Sequence, residues 1–465
     1  MEPKIDLSKN RSVNFSMANK PTVNLGILGL GVVGQGVLKH LNRNRKILES
    51  RLGVRLKVSK IAVRNKRLKR NVKVNPNLLT EDGFEVVNDP SIQVVCELIG
   101  GTTLAKQLTL QALKNGKIVV TANKALLCEH GNQVIRAAKK SEGHIFFEAS
   151  VAGGIPIIKS IREGLVANRF PGIHGILNGT CNYILTRMQA EGKPFGEILA
   201  EAKALGYAEA DESLDVDGID AAHKAGILAY LAHGKWIPMN KMLIEGIREI
   251  TTSDILAADA MGYRIKHLAS VVSDVKKNSL FVGVYPALIP KTHILGRVDD
   301  VYNAVCVSGD VVGSTIHIGR GAGQDATASA VISDIADAVF TTQGAGLMNL
   351  IDEKNDPLTS TLEELQIASM EEVKSSFYLR LSVIDQPGVL SKVTALMAKE
   401  KISIARVVQQ LDSKPSHKKT KASAVLTLTT HQCSESAIAR AFRSLKRSSP
   451  VLSKPFLLRI ANFND

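Results

Sequence analysis

Between Gly206 and Lys224 the chain crowds Glu209, Asp211, Glu212, Asp215, Asp217 and Asp220 together and closes the stretch with Lys224. Carboxylates at this density can orient an ammonium group or hold a cation, and a buried lysine beside them can move a proton. Before Gly218 the acids are too dense and apolar residues too sparse for a helix, so that part reads as a loop. From Asp220 onward the pattern is helical, which puts Asp220 and Lys224 one turn apart on one face. Alone, such a pair stabilises a helix by only about 0.3–0.5 kcal/mol and implies no catalysis. A calcium loop is excluded, because its glycine and closing glutamate are missing at their offsets.

A second signal is Gly29-Leu30-Gly31-Val32-Val33-Gly34, which follows the apolar run Val23 to Leu28 and opens a helical pattern. In that setting Gly29 allows a tight turn, Gly31 admits a pyrophosphate to the backbone, and Gly34 lets helix pack on strand. Val32 and Val33 then lie in the first helical turn, whose free N–H groups and dipole favour phosphate. The second strand, Leu56 to Val63, continues as Arg64-Asn65-Lys66-Arg67 with no acid in reach. Arg64 therefore suits a 2′-phosphate, favouring NADP, with NAD as the alternative.

The elements around these signals follow from periodicity. Val94 to Ile99, Ile118 to Ala122 and Ile145 to Ala149 read as buried strands, and Leu104 to Lys114 as a helix stopped by Asn115 and Gly116. Strands alternating with helices predict an α/β unit, a doubly wound parallel sheet of Rossmann type. From about Gly153 to Gly319 the pattern becomes α+β. Helical stretches (Ile184 to Leu205, Ala221 to His233, Ile255 to Val272) mix there with strands at Leu280 to Tyr285 and Asn303 to Val307. The final segment reads as a small βαββαβ unit with a turn at Asp385-Gln386-Pro387-Gly388-Val389-Leu390.

Composition narrows the class. A chain of 465 residues, 45% hydrophobic and 22% charged, predicts two to four soluble globular domains. No apolar run approaches the roughly 20 residues that span a bilayer, and the N-terminal stretch lacks the apolar core of a signal peptide. Five scattered cysteines without a CxxC pair argue against a disulfide framework or zinc site, and for the reducing cytoplasm. The formal charge is +15, and Arg43 to Lys73 holds thirteen basic residues against the single acid Glu49. Without interleaved aromatics or a binding motif, this reads as a solvated face that attracts a phosphorylated cofactor rather than as a nucleic-acid site.

Five ordered segments together resemble the homoserine dehydrogenase family: Gly29 to Gly34; Glu97-Leu98-Ile99-Gly100-Gly101; Thr121-Ala122-Asn123-Lys124; Leu177-Asn178-Gly179-Thr180-Cys181-Asn182-Tyr183-Ile184-Leu185; and Gly206 to Lys224. The resemblance implies reversible, NADP-dependent reduction of L-aspartate 4-semialdehyde to L-homoserine, at the branch toward threonine and methionine. It makes Lys224 the proton-transfer lysine and Lys124 a second lysine near nicotinamide and substrate. It makes Glu209, Asp215 and Asp220 substrate-binding carboxylates, with Gly179 and Thr180 shaping the pocket. Glu148, Val151, Gly153 and Ile155 fall where the family can hold a structural sodium ion. Gly321 falls in a glycine loop over the cofactor, where Arg320 and Ala326 replace prolines common in the family. The last unit resembles an ACT domain, which implies a regulatory amino acid, threonine by analogy, and a homodimer or homotetramer.

The domains expected are a tail (1–21), an NADP-binding domain (22–150, with 320–350 packing back on it) and a catalytic and dimerisation domain (151–319). A linker (352–374) and a ferredoxin-like ACT domain (375–462) follow, with Lys414 to Lys421 as a hairpin loop. Reduction of an aldehyde leaves an alkoxide, which an ammonium can neutralise. Carboxylates around Lys224 favour its charged form, so oxidation of homoserine is expected to run faster at alkaline pH. Two other readings remain: a sensor that has lost catalysis, and a dehydrogenase for another amino-acid-derived carbonyl. The intact lysine–carboxylate set speaks against the first, and the run from Asn178 against the second.

Overall fold

The computed structural model describes residues 20–208, 211–274, 277–342, 366–369, 371–411 and 422–463. Glu209, the stretch Lys414 to Lys421, and most of the expected tail and linker lie outside these residues.

The first sheet contains β1 (Thr22–Leu28), β2 (Arg55–Ala62), β3 (Leu79–Thr80), β4 (Val94–Glu97), β5 (Ile118–Thr121) and β6 (Ile145–Phe146). Every pairing is parallel, in the order β3-β2-β1-β4-β5-β6. β4 and β5 are buried along their whole length, because helices cover both faces of a parallel sheet. On one face lie α1 (Val32–Arg43) and, from far along the chain, helix 324–342; on the other lie α2 (Thr103–Lys114) and α3 (Lys124–Lys140). The strand order reverses between β1 and β4. In this architecture the crevice at that reversal, beyond the strands' carboxyl ends, takes the ligand.

The second sheet departs further from expectation. Its first half contains β7 (Gly172–Ile176), β8 (Tyr263–Asp274), β9 (Ser279–Pro290), β10 (Tyr302–Gly309) and β11 (Gly313–Arg320). The helix expected over Ile255 to Val272 is instead helix Thr252–Ala260 followed by β8. Gly262, at φ 88°, ends the helix, and the largely buried run after it pairs along all of β9. Likewise Ile184 to Leu205 is two helices, α4 (Gly179–Glu191) and Phe195–Ala204, parted by Gly192 in the left-handed region and by Pro194. The acidic loop contains a single helical turn, α5 (Ser213–Val216), where Asp211 Oδ1 accepts the Ser213 N–H at 3.0 Å and Val216 is buried. α6 (Ile219–His233) follows directly, and the glycine loop leads from β11 into α7 (Gln324–Thr342).

The C-terminal unit is βαββαβ: β12 (Lys374–Ile384), α8 (Val389–Lys399), β13 (Ile404–Leu411), β14 (Ser423–Thr430), α9 (Glu435–Lys446) and β15 (Phe456–Ile460). It is not a separate body on a tether. β15 pairs in parallel with β9 (Ala287 with Arg459, Leu288 with Ile460), so one sheet runs β11-β10-β7-β8-β9-β15-β12-β14-β13. Gln366–Ile367, inside the expected linker, also pairs with β9, and Lys374 already belongs to β12. Tyr378, Phe456 and Leu458 share a core with Ile255, Ile265 and Leu288 of the preceding domain. Among the described residues no helix is long and apolar enough to cross a membrane.

Candidate active site

The glycine turn satisfies the geometric test for a dinucleotide. Gly29 has φ 97°, and a Cβ there would stand 2.6 Å from the Leu98 oxygen; a Cβ on Gly34 would stand 2.2 Å from the Gly29 oxygen. Gly31 differs, since a Cβ there would project into open space, leaving the backbone approachable at the start of α1. No side chain caps that helix start. Val32 is exposed and Val33 half-buried at the same edge, and Gly100 and Gly101, both with positive φ, end β4 across the crevice. Asn123 ties that second turn to α3, donating to the Gly101 oxygen at 2.7 Å while capping the Leu126 N–H at 3.1 Å. These residues fit a nicotinamide dinucleotide.

Arg64 is exposed just beyond β2. The tertiary fold, however, brings an acid that the local sequence lacked. Glu81 arrives from beyond β3 and accepts the Lys66 backbone N–H at 2.9 Å. Arg70 holds the same loop by donating to the oxygens of Asn65 and Leu68 at 2.7 and 2.9 Å.

Facing the crevice from the second domain, the start of α6 gathers the expected polar set. Lys224 Nζ donates to Asp220 Oδ2 at 2.7 Å and to the Leu177 oxygen at 2.6 Å. Lys124 Nζ, at the first residue of α3, stands 3.2 Å from Asp220 Oδ1. Burial pushes the Asp220 carboxyl up, but Lys224, Lys124 and the bond from Asn178 together hold it well below the usual carboxylate range. Asp215 lies beside it with its pKa raised by burial, against bonds from Asn178 at 2.7 Å and Thr180 at 3.2 Å. Gly179 begins α4 where a Cβ would meet the Val301 oxygen at 2.9 Å, so the close approach requires glycine.

The spacing argument missed Asn178. Its Oδ1 caps α4 by accepting the Cys181 N–H at 2.8 Å, while its Nδ2 donates to both Asp215 and Asp220. The signal was available, since Asn directly before a helical run is a favoured N-cap. Glu97 was also passed over as a site residue. It is fully buried and accepts Thr121 Oγ1 at 2.7 Å and the Ile99 N–H at 3.1 Å, which shapes the Gly100-Gly101 turn. Cys181 is buried, which pushes its thiol well up and leaves it unreactive.

The expected sodium residues form one turn against the glycine loop. Ala152 and Gly153 both have positive φ, and a Gly153 Cβ would stand 2.5 Å from the Gly321 oxygen. Both carboxylate oxygens of Glu148 already accept backbone N–H groups, from Ile158 at 2.9 Å and Lys159 at 2.8 Å. The Glu148 side chain is thus committed to starting the next helix. Val151, Gly153 and Ile155 can offer main-chain oxygens only.

Two of the cavities among the described residues lie outside this polar cluster. One of about 670 Å3, lined by Gln93, Lys117, Ile118 and His144 among others, sits at the amino ends of β4–β6, away from the crevice. The other, of about 440 Å3, lies in the C-terminal unit between the Asp385–Leu390 turn and Gln409.

A doubly wound sheet with an open glycine turn, facing a lysine–carboxylate cluster on a second domain, defines a nicotinamide-dependent oxidoreductase. Residues 29–148 match the family model described as homoserine dehydrogenase, NAD binding domain, and residues 156–336 the model described as homoserine dehydrogenase. The homoserine dehydrogenase of Pseudomonas aeruginosa is 41% identical over 444 residues, covering 95% of this chain and 99% of that one. The crystal structure of a homoserine dehydrogenase from Thiobacillus denitrificans superposes with a TM-score of 0.85 at 39% identity, covering 95% and 99%. A hyperthermophilic archaeal homoserine dehydrogenase in complex with NADPH superposes at 0.58 with 27% identity, covering 69% of this chain and 98% of that shorter one. The chain belongs to the homoserine dehydrogenase family.

Proposed function

We propose that this enzyme interconverts L-aspartate 4-semialdehyde and L-homoserine with NADP in preference to NAD, serving threonine and methionine synthesis. The observation that carries the reading is the meeting of Lys224 and Asp220 with Lys124, which begins the helix after β5 in the dinucleotide-binding sheet. NADP, when bound, gives or takes the hydride at the substrate's carbonyl carbon. Lys224 donates the proton to the forming alkoxide in reduction and accepts it in oxidation. Asp220 holds Lys224 in place, and Lys124 sits at the cofactor side, where its charge stabilises the same oxygen. Asp215 and Glu209 orient the substrate's ammonium, and Gly179 and Thr180 shape the wall beside them. Arg64 takes the 2′-phosphate; the choice of NADP is supported by an archaeal relative solved in complex with NADPH.

Residues 22–150 with 320–350 serve the cofactor, 151–319 the substrate and dimerisation, and 375–462 regulation. The βαββαβ unit acts as an ACT domain, with threonine in the cavity at Asp385–Leu390 as feedback inhibitor. A sodium ion, held by main-chain oxygens of Val151, Gly153 and Ile155, stiffens the turn under Gly321. The working form is a homodimer or homotetramer.

The test is absorbance at the reduced-cofactor band with L-homoserine and either NADP or NAD at alkaline pH, with and without threonine. Homoserine-dependent reduction that is faster with NADP and suppressed by threonine is the expected result. Folded protein that reduces neither cofactor overturns the reading.

A further inference from the structure

The carbonyl on which Lys224 rests has a second donor. Asn303, at the start of β10, is 1% exposed and donates from Nδ2 to the Leu177 oxygen at 2.9 Å, the same oxygen that accepts Lys224 Nζ. Its Oδ1 is buried without a hydrogen-bond partner and lies 3.7 Å from where a Gly179 Cβ would stand. The amide also presses on the glycine loop, since a Cβ on Gly321 would fall 1.9 Å from Asn303 Nδ2. That loop is in turn anchored at the cofactor turn, where Gln324 Nε2 donates to the Val32 oxygen at 3.1 Å. One planar amide therefore touches the cofactor loop, the start of α4 and the seat of Lys224.

We infer that Asn303 is a positioning residue for proton transfer, holding the Leu177 carbonyl that seats Lys224 and registering that seat against the loop at Gly321. This rests on Lys224 as the proton-transfer group. The physical argument is competition for one oxygen. With the Asn303 N–H in place, the Leu177 oxygen divides its acceptor strength between that amide and Lys224 Nζ. Without that N–H the carbonyl serves the ammonium alone and favours it. Among the described residues, the charged and titratable groups around Lys224 are Asp220 and His223 on α6, Asp215 on α5, Cys181 on α4 and Lys124 on α3; His267 of β8 lies behind them against Gly218. None of these hydrogen-bonds to the Leu177 oxygen, which accepts from Lys224 and Asn303, so a change at Asn303 acts through the seat.

The experiment is the pH profile of kcat for homoserine oxidation at saturating NADP in wild type, Asn303→Asp, Asn303→Ser and Gly321→Ala, each first checked for a cooperative melt. Asn303→Asp removes the N–H and adds an anion. Its profile is expected to move about one pH unit alkaline, a roughly tenfold lower kcat at neutral pH that recovers near pH 10. Asn303→Ser, too short to reach Leu177, is expected to move the same way by about threefold, and it carries the test if Asn303→Asp does not fold. Gly321→Ala, which must displace the amide, is expected to share the direction. A fall in kcat that is equal at every pH, with the midpoint unmoved, would mean loosened packing and overturn the inference. Lys224→Ala separates the two readings. If it keeps its turnover, the role of Lys224 itself is lost; if it is dead while Asn303→Asp keeps the wild-type midpoint, only the role of Asn303 is lost.

Discussion

Lys124 stands 3.2 Å from Asp220, and this ion pair joins the first helical residue of the dinucleotide-binding sheet's α3 to the catalytic α6. Nearly a hundred residues separate the two partners, and the proposed active-site cleft lies between their elements. Lys124 is more than a third exposed, so the pair adds little to stability and its value is positional. Lys124→Ala is expected to lower kcat by about 100-fold while leaving the melting temperature within a degree or two. Steady-state kinetics beside a thermal melt checks this, and a large drop in melting temperature with normal kcat would reverse the assignment.

Asp220 is the opposite case, buried and shared by two ammonium groups. Because its folded carboxyl titrates lower than in the unfolded chain, its stabilisation is fully present above about pH 4. It is lost only as the pH falls further, through the depressed folded value. Asp220→Asn leaves both lysines without their anion and should cost about 3 kcal/mol. The deficit in urea denaturation should be constant from pH 5 to 8; a deficit that vanishes at pH 5 would contradict the direction of the shift.

Gly31 and Gly34 separate binding from folding. Gly31→Ala meets nothing in the fold, so its melt should match wild type while the KM for NADP rises about tenfold or more. Gly34→Ala drives a methyl into the Gly29 carbonyl and should destabilise the domain by about 1–3 kcal/mol. Equal melts for the two variants would sink the distinction.

Asp254 holds the C-terminal unit to the catalytic one. Fully buried, it accepts Tyr378 Oη at 3.1 Å and Arg380 Nε at 2.6 Å, and it closes the capping box with Thr251. Removing it takes the carboxylate from a guanidinium and a phenol and opens one half of the capping box, while the Thr251 hydroxyl still accepts the backbone N–H of residue 254. Asp254→Ala should cost about 3–5 kcal/mol and weaken any response to threonine before it affects homoserine turnover at low temperature. Titration of inhibition alongside unfolding measures both.

Burial pushes three histidines, His174, His233 and His267, down to about 4. Each is neutral in the fold and protonates near 6.5 when unfolded, so the unfolded state binds more protons between those values. Stability is therefore full above about pH 6.5 and falls as the pH drops toward 4, by up to about 3 kcal/mol for each histidine. Melting temperatures measured from pH 8 to 4.5 should hold and then decline, and a rising curve below pH 6 would be the wrong sign.

Much of this site was legible because its signals are local. A glycine turn between strand and helix, and a lysine one helical turn after an aspartate, are decided by backbone sterics and by 3.6-residue periodicity. The expected helix from Ile255 to Val272 shows where locality ends. Leu268 to Val272 is apolar enough for either element, and the full-length pairing of β8 with β9 selects the strand. Asn303 was legible only as a strand residue, since nothing in its neighbours announces a contact with Gly321.

The sequence by itself determined the alternation of strands and helices, the open turn at Gly31 and the face shared by Asp220 and Lys224. Each depends on residues a few positions apart. Only the tertiary structure decided that Lys124, Asn178 and Asp215 converge on Asp220, that Glu81 reaches the loop after β2, and that β15 joins β9. Those contacts come from packing and long-range strand pairing, which bring together residues whose spacing along the chain carries no trace of the meeting.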